Sequence, residues 1–211
     1  MTIKNFIFDI DGTLIDTFQM YMPALLETLE NHGYHFSDPA GIEKQLYGIA
    51  AVDALHKLGV PADDISALDR EWIQKAYQKV DQVKVLPGIP AVLKNLASRT
   101  QTRMAIVTSK TREEYKKYFQ DKYDFAKYFS IAVTANDTEK HKPAPDPLLL
   151  AMRQLNAKAE EVVYVGDMQT DLSAAKMAGI KFAGANYGSV FPEKLVNADF
   201  KLVTPADLLK I

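Results

Sequence analysis

The chain contains no cysteine. Disulfides, thiolate metal sites and a cysteine nucleophile are therefore excluded. It also lacks a charge imbalance: 25 basic and 27 acidic residues leave a formal net charge of -2, so nothing in bulk attracts nucleic acid or an anionic membrane. No apolar run approaches the roughly 20 residues a membrane helix needs. The opening "MTIKNFIFDI" enters a strand at once, without a signal-peptide pattern. Repeats and low-complexity segments are missing as well. These absences lead to the expectation of a soluble cytoplasmic protein, a monomer with a dimer as the alternative. Its partner would be a small molecule rather than nucleic acid or a membrane.

Apolar residues are plentiful, 47% of 211, enough for one large domain or a core with a smaller insertion. Five short apolar runs read as buried strands: Asn5–Ile10, Met104–Val107, Ile131–Val133, Val162–Val165 and Ile180–Ala183. Their lack of alternation suits a parallel sheet covered on both faces. Helical stretches separate the later ones: Pro90–Thr100, Thr111–Tyr123, Pro145–Asn156 and Met168–Gly179. Alternating strands and helices predict a doubly wound, Rossmann-like α/β core. Roughly 90 residues lie between the first two strands, far more than one crossover needs. That segment reads as helices only, over Thr17–Gly33, Ala50–Gly59 and Pro61–Val80. The expected organisation is a core of residues 1–17 and 83–211, with a small all-helical cap domain inserted at 18–82.

Polar residues gather where the strands end. The first strand ends in Asp9 and Asp11, the second in Thr108 and Ser109. Lys142 follows the third, and Asp167 the fourth, with Asp171 four residues later. In an open parallel sheet, ligands bind beyond the carboxyl ends of the strands, so these groups should converge on one crevice. Two carboxylates at the end of a buried strand repel unless a positive charge sits between them or one holds a proton. Asp9, Asp11 and Asp167 together offer oxygens to a hard cation such as Mg2+, which takes a few carboxylates, water and a phosphate oxygen. Thr108 and Lys142 would face a phosphate. This is equipment for phosphoryl transfer.

The motifs Asp9-Ile10-Asp11-Gly12-Thr13, Thr108, Lys142-Pro143 and Gly166-Asp167-Met168-Gln169-Thr170-Asp171 occur in order. In this the chain resembles the haloacid dehalogenase-like hydrolase superfamily, in its branch of phosphatases with a helical cap after the first motif. The resemblance implies an aspartyl-phosphate formed on Asp9 and general acid–base work by Asp11. It further implies magnesium held by Asp9, the Asp11 backbone carbonyl and Asp167, and phosphoryl oxygens held by Thr108, Ser109 and Lys142. Asp171 would orient the metal's waters or Lys142. The implied reaction is hydrolysis of a small phosphomonoester. A sugar phosphomutase and a pyrophosphatase on the same scaffold are the rivals, and a non-catalytic binding protein is a third reading that the intact motifs disfavour.

Other residues have plainer readings. Asp16 and Thr17 begin the cap linker and fit a helix cap. Lys110 and Arg112, just past the second motif, read as a solvated helix start or a substrate contact. In resembling enzymes a glycine-containing turn of the cap selects the leaving group; here it would be Tyr47, Gly48, Ile49 and Ala51. That turn carries no positive charge, which predicts a neutral leaving group unless Lys110 or Arg112 supplies the charge from the core.

Overall fold

The computed structural model describes residues 2–47 and 51–211. The chain divides into two units, Met1–Ile15 with Val85–Ile211, and Asp16–Lys84.

The first unit is built on a sheet of six strands: β1 (Asn5–Phe8), β4 (Arg103–Val107), β5 (Phe129–Val133), β6 (Val162–Gly166), β7 (Lys181–Ala185) and β8 (Phe200–Leu202). Their order is β5-β4-β1-β6-β7-β8, and every pairing is parallel. The numbers β2 (Ile15–Asp16) and β3 (Lys84–Val85) belong to a two-residue ribbon where the chain leaves and re-enters this unit. Because β4 lies on one side of β1 and β6 on the other, the winding reverses at β1. In open parallel sheets, ligands bind beyond the carboxyl ends of the strands at such a reversal.

Both faces of the sheet are apolar, which is why its strands show no alternation. On one face Ile7, Ala105, Val107, Val133, Tyr164 and Phe182 form a core with helices α7 (Asp146–Leu155) and α8 (Gln169–Ala178). On the other, Phe8 meets Phe129 edge-on at 5.7 Å and Phe119 stands 6.2 Å from Phe129. Helix α5 (Ile89–Ser98) buries Val92, Leu93 and Leu96. Each fully buried side chain of this kind contributes about 1.5–3 kcal/mol.

The stretch predicted as one helix over Thr111–Tyr123 is shorter. Helix α6 spans only Arg112–Tyr115, started by a capping box between Thr111 and Glu114, and widens into a π turn over Lys116–Gln120. The edge strand β8 escaped the sequence reading because three residues give too short a period to detect.

The second unit contains α1 (Phe18–Asn31), α2 (Pro39–Leu46), α3 (Ala51–Lys57) and α4 (Ala62–Gln78). Helix α4 buries Ile65, Leu68, Trp72 and Ala76, a stripe at helical spacing. Trp72 Nε1 donates to the Tyr21 carbonyl at 2.7 Å, joining α4 to α1. Helix α2 was not expected from sequence; Asp38 caps it, accepting from the Gly41 amide, and Pro39 starts it.

Candidate active site

The first loop is shaped by one carbonyl. After β1 the chain folds back so that the Ile10 oxygen accepts from the amides of Leu14 and Ile15, at 2.8 and 3.2 Å. Gly12 makes that turn with a φ of 72°, a conformation other residues resist. A Cβ there would also lie 2.2 Å from Asp167 Oδ2. Next to it, the buried Thr13 hydroxyl donates to Asp167 Oδ1 at 3.0 Å. The Gly12-Thr13 pair is therefore the surface against which Asp167 rests.

Lys142 organises the other side of the site. Its Nζ lies 3.0 Å from Asp9 Oδ1 and 2.8 Å from Asp171 Oδ1, and donates to the Tyr164 hydroxyl at 3.1 Å. An ammonium has three protons, and three oxygens face it. Asp171 is equally engaged: Oδ1 also accepts from Tyr164 at 2.9 Å, and Oδ2 from the Met168 amide at 3.1 Å.

Asp9, Asp167 and Asp171 are all buried, and each offers a carboxylate oxygen within 4.8 Å of the others. Burial, opposed by Lys142 and reinforced by Asp171 and Asp11, raises the Asp9 pKa to about 7. Burial also lifts Asp167 well above the usual carboxylate range, with Asp171 and Asp9 adding to the effect. For Lys142, burial works against the charge, but Asp171 and Asp9 outweigh it and hold the pKa above the ordinary lysine value. Asp167 Oδ2 is buried without a hydrogen-bond partner among the described residues. An orphaned oxygen among three crowded carboxylates is the donor set a divalent cation would satisfy.

The Asp11 side chain does not join that cluster. Its Oδ1 lies 2.9 Å from Lys110 Nζ. Lys110 is thereby removed from the solvated helix start the sequence suggested: it is buried. Arg112 turns elsewhere, to Asp137 and the Ala132 carbonyl. Thr108 is buried at the end of β4, its amide donating to Val133 O at 3.0 Å and its hydroxyl accepting from Lys110 N at 3.2 Å. Ser109 is exposed. In the second unit, Tyr47 is buried with its ring 5.0 Å from Phe18 and its hydroxyl 3.4 Å from that of Thr17. Gly48 and Ile49 lie outside the described residues, as does the Ala51 side chain.

Two sets of residues here had no signal in the sequence. Tyr164 reads as one more apolar strand residue. The loop after β7 carries no charge, yet it braces both aspartate loops: Tyr187 donates to the Thr13 carbonyl at 3.1 Å, and Ser189 to the Asp167 carbonyl at 2.6 Å.

Residues 6–185 match the family model described as haloacid dehalogenase-like hydrolase. The chain is 32% identical to the pyrophosphatase PpaX of Halalkalibacterium halodurans, covering 100% of this chain and 97% of that one. It is 30% identical to the phosphoglycolate phosphatase of Aquifex aeolicus, covering 99% and 96%. Among solved structures, a candidate phosphoglycolate phosphatase from Lactobacillus plantarum superposes with a TM-score of 0.92 at 28% identity, covering 100% of this chain and 99% of that one.

Proposed function

The chain belongs to the haloacid dehalogenase-like hydrolases, and from that premise we propose a magnesium-dependent phosphatase that cleaves small phosphate esters through an aspartyl-phosphate on Asp9. The observation that carries this reading is the contrast between two buried carboxylates: Asp9 is held by Lys142 at 3.0 Å, while Asp167 keeps an orphaned oxygen.

Asp9, Asp167 and the Asp11 carbonyl would hold the cation. When bound, it supplies positive charge that keeps the carboxylates ionised and offsets charge on the phosphoryl group. An Asp9 oxygen forms the bond to phosphorus as the bond to the leaving oxygen breaks. Asp11 gives that oxygen its proton, then takes one from the water that attacks the aspartyl-phosphate and frees phosphate and Asp9. Lys142 holds Asp9 in place and carries fixed positive charge beside the phosphoryl oxygens. Thr108, with the Ser109 amide, would hold those oxygens from β4. Asp171 and Tyr164 fix Lys142. No helix among the described residues is long and apolar enough to cross a membrane.

A pyrophosphatase is the second reading, supported by the likeness to PpaX. The test is a panel of phosphate esters and pyrophosphate, assayed with and without magnesium. Turnover of at least one donor that chelation abolishes is expected. Full activity after exhaustive chelation would overturn the metal assignment, and no turnover of any donor would overturn the phosphatase.

A further inference from the structure

The loop after β7 contributes no candidate metal ligand, yet it touches both loops that do. The Tyr187 hydroxyl donates to the Thr13 carbonyl, and the Ser189 hydroxyl donates to the Asp167 carbonyl. Between them Gly188 packs on the Gly12 carbonyl. The loop is itself fixed to its strand, because the amides of Gly188 and Ser189 both donate to the Ala185 carbonyl at 3.1 Å. The Phe191 amide donates to Ser189 Oγ at 3.2 Å. That contact occupies a lone pair of the hydroxyl and leaves its one proton for Asp167.

Asp167 depends on this support because its side chain has little of its own. Among the described residues it receives one hydrogen bond, from the Thr13 hydroxyl to Oδ1 at 3.0 Å, and Oδ2 receives none. Asp9 and Asp171 are better held, by Lys142 at 3.0 and 2.8 Å. The aim of Asp167 Oδ2 therefore follows from two positions. Its backbone is fixed by Ser189, and the hydroxyl that steers its carboxylate belongs to Thr13, whose own carbonyl is fixed by Tyr187. One three-residue segment thus holds Asp167 from both ends.

Such a clamp opposes a definite force. Before a cation arrives, Asp167 sits among like charges, Asp9 and Asp171, which repel its ionised form. Unclamped, the carboxylate would relieve that repulsion by turning away, and binding would have to bring it back. Magnesium tolerates little error in ligand placement, and groups that orient its ligands from behind typically change metal affinity about 10- to 100-fold.

We propose that Tyr187 and Ser189 are positioning residues for the cation site, and that the loop after β7 sets magnesium affinity by holding Asp167 in place. This rests on the magnesium assignment within the phosphatase reading. Neither hydroxyl touches the nucleophile, and Lys142 is fixed separately by Asp171 and Tyr164. The two hydroxyls therefore act on metal binding more than on the chemical step.

The test titrates magnesium chloride alone into the folded protein by calorimetry, with the rise in Tm against magnesium concentration as a second measure. Tyr187→Phe and Ser189→Ala each delete one oxygen, and each should raise the magnesium Kd about tenfold. In turnover, the magnesium concentration for half the maximal rate should rise by a similar factor, while kcat at saturating magnesium falls less than about threefold. Val92→Ala, a truncation in the core on α5, controls for lost stability and should move the Kd less than about twofold. An unchanged Kd in both hydroxyl variants overturns the proposal, even if kcat falls. So does a Val92→Ala protein whose Kd rises as far as theirs, because the weakening would then follow stability alone. A wild type that binds no magnesium overturns the metal assignment and the clamp with it, a result distinct from a wild type that binds the ion no more tightly than the variants.

Discussion

A Cβ placed on Gly188 would lie 2.0 Å from the carbonyl oxygen of Gly12. The obstructing atom is backbone and cannot rotate away. The loop after β7 thus fits the first aspartate loop only because residue 188 has no side chain. Gly188→Ala should cost about 1–3 kcal/mol through overpacking, a drop in Tm of roughly 2–10 °C for a chain of this size. Activity should fall at least about tenfold, since displacements near 1 Å cost that much and more. Thermal melts and kcat together check this, and an alanine variant that melts and turns over like the wild type refutes it.

Tyr164 joins Lys142 and Asp171 through one hydroxyl. Tyr164→Phe removes that atom and little else. Hydrogen bonds to charged groups contribute about 1.5–3 kcal/mol, so denaturant unfolding should show a loss of that order. The freed Lys142 should also lower kcat more than it raises KM. A variant of unchanged stability would mean that the phenol plays no part in holding the lysine.

Stability without metal should depend on pH in a stated direction. Asp9 moves from an ordinary 3.8 to about 7, and Asp167 is also raised. Between about pH 4 and pH 7 the folded protein keeps protons that the unfolded chain releases, so metal-free stability falls as pH rises through that window. Bound magnesium favours the ionised carboxylates and opposes the fall. The rise in Tm on adding magnesium should therefore be larger near pH 8 than near pH 5. An equal rise at both values would contradict the assignment of these carboxylates to the metal.

Asp9→Asn separates function from stability. The neutral amide avoids the burial penalty that dominates the Asp9 environment. Near pH 8 without metal, the variant should be at least as stable as the wild type, while turnover falls about a thousandfold or more. Labelled phosphate should be trapped on the wild type and not on the variant. Retained turnover in Asp9→Asn would end the covalent mechanism.

The parallel core and the helical insertion follow from the chain itself, because burial on both faces leaves apolar runs and an insertion leaves a gap too long for one crossover. The ends of those runs carry Asp9, Thr108, Lys142 and Asp167, and a parallel sheet brings such ends to one edge whatever the details of packing. Tertiary structure alone decided the rest. The contact of Tyr187 with Thr13 spans 174 residues, and neither residue marks the other in sequence. Lys110 lies in a charged stretch and would be solvated by local rules, yet the turn after β4 carries it inward to Asp11. A local pattern records which face of an element is apolar; it does not record which distant charge an ammonium will meet once the strands have assembled.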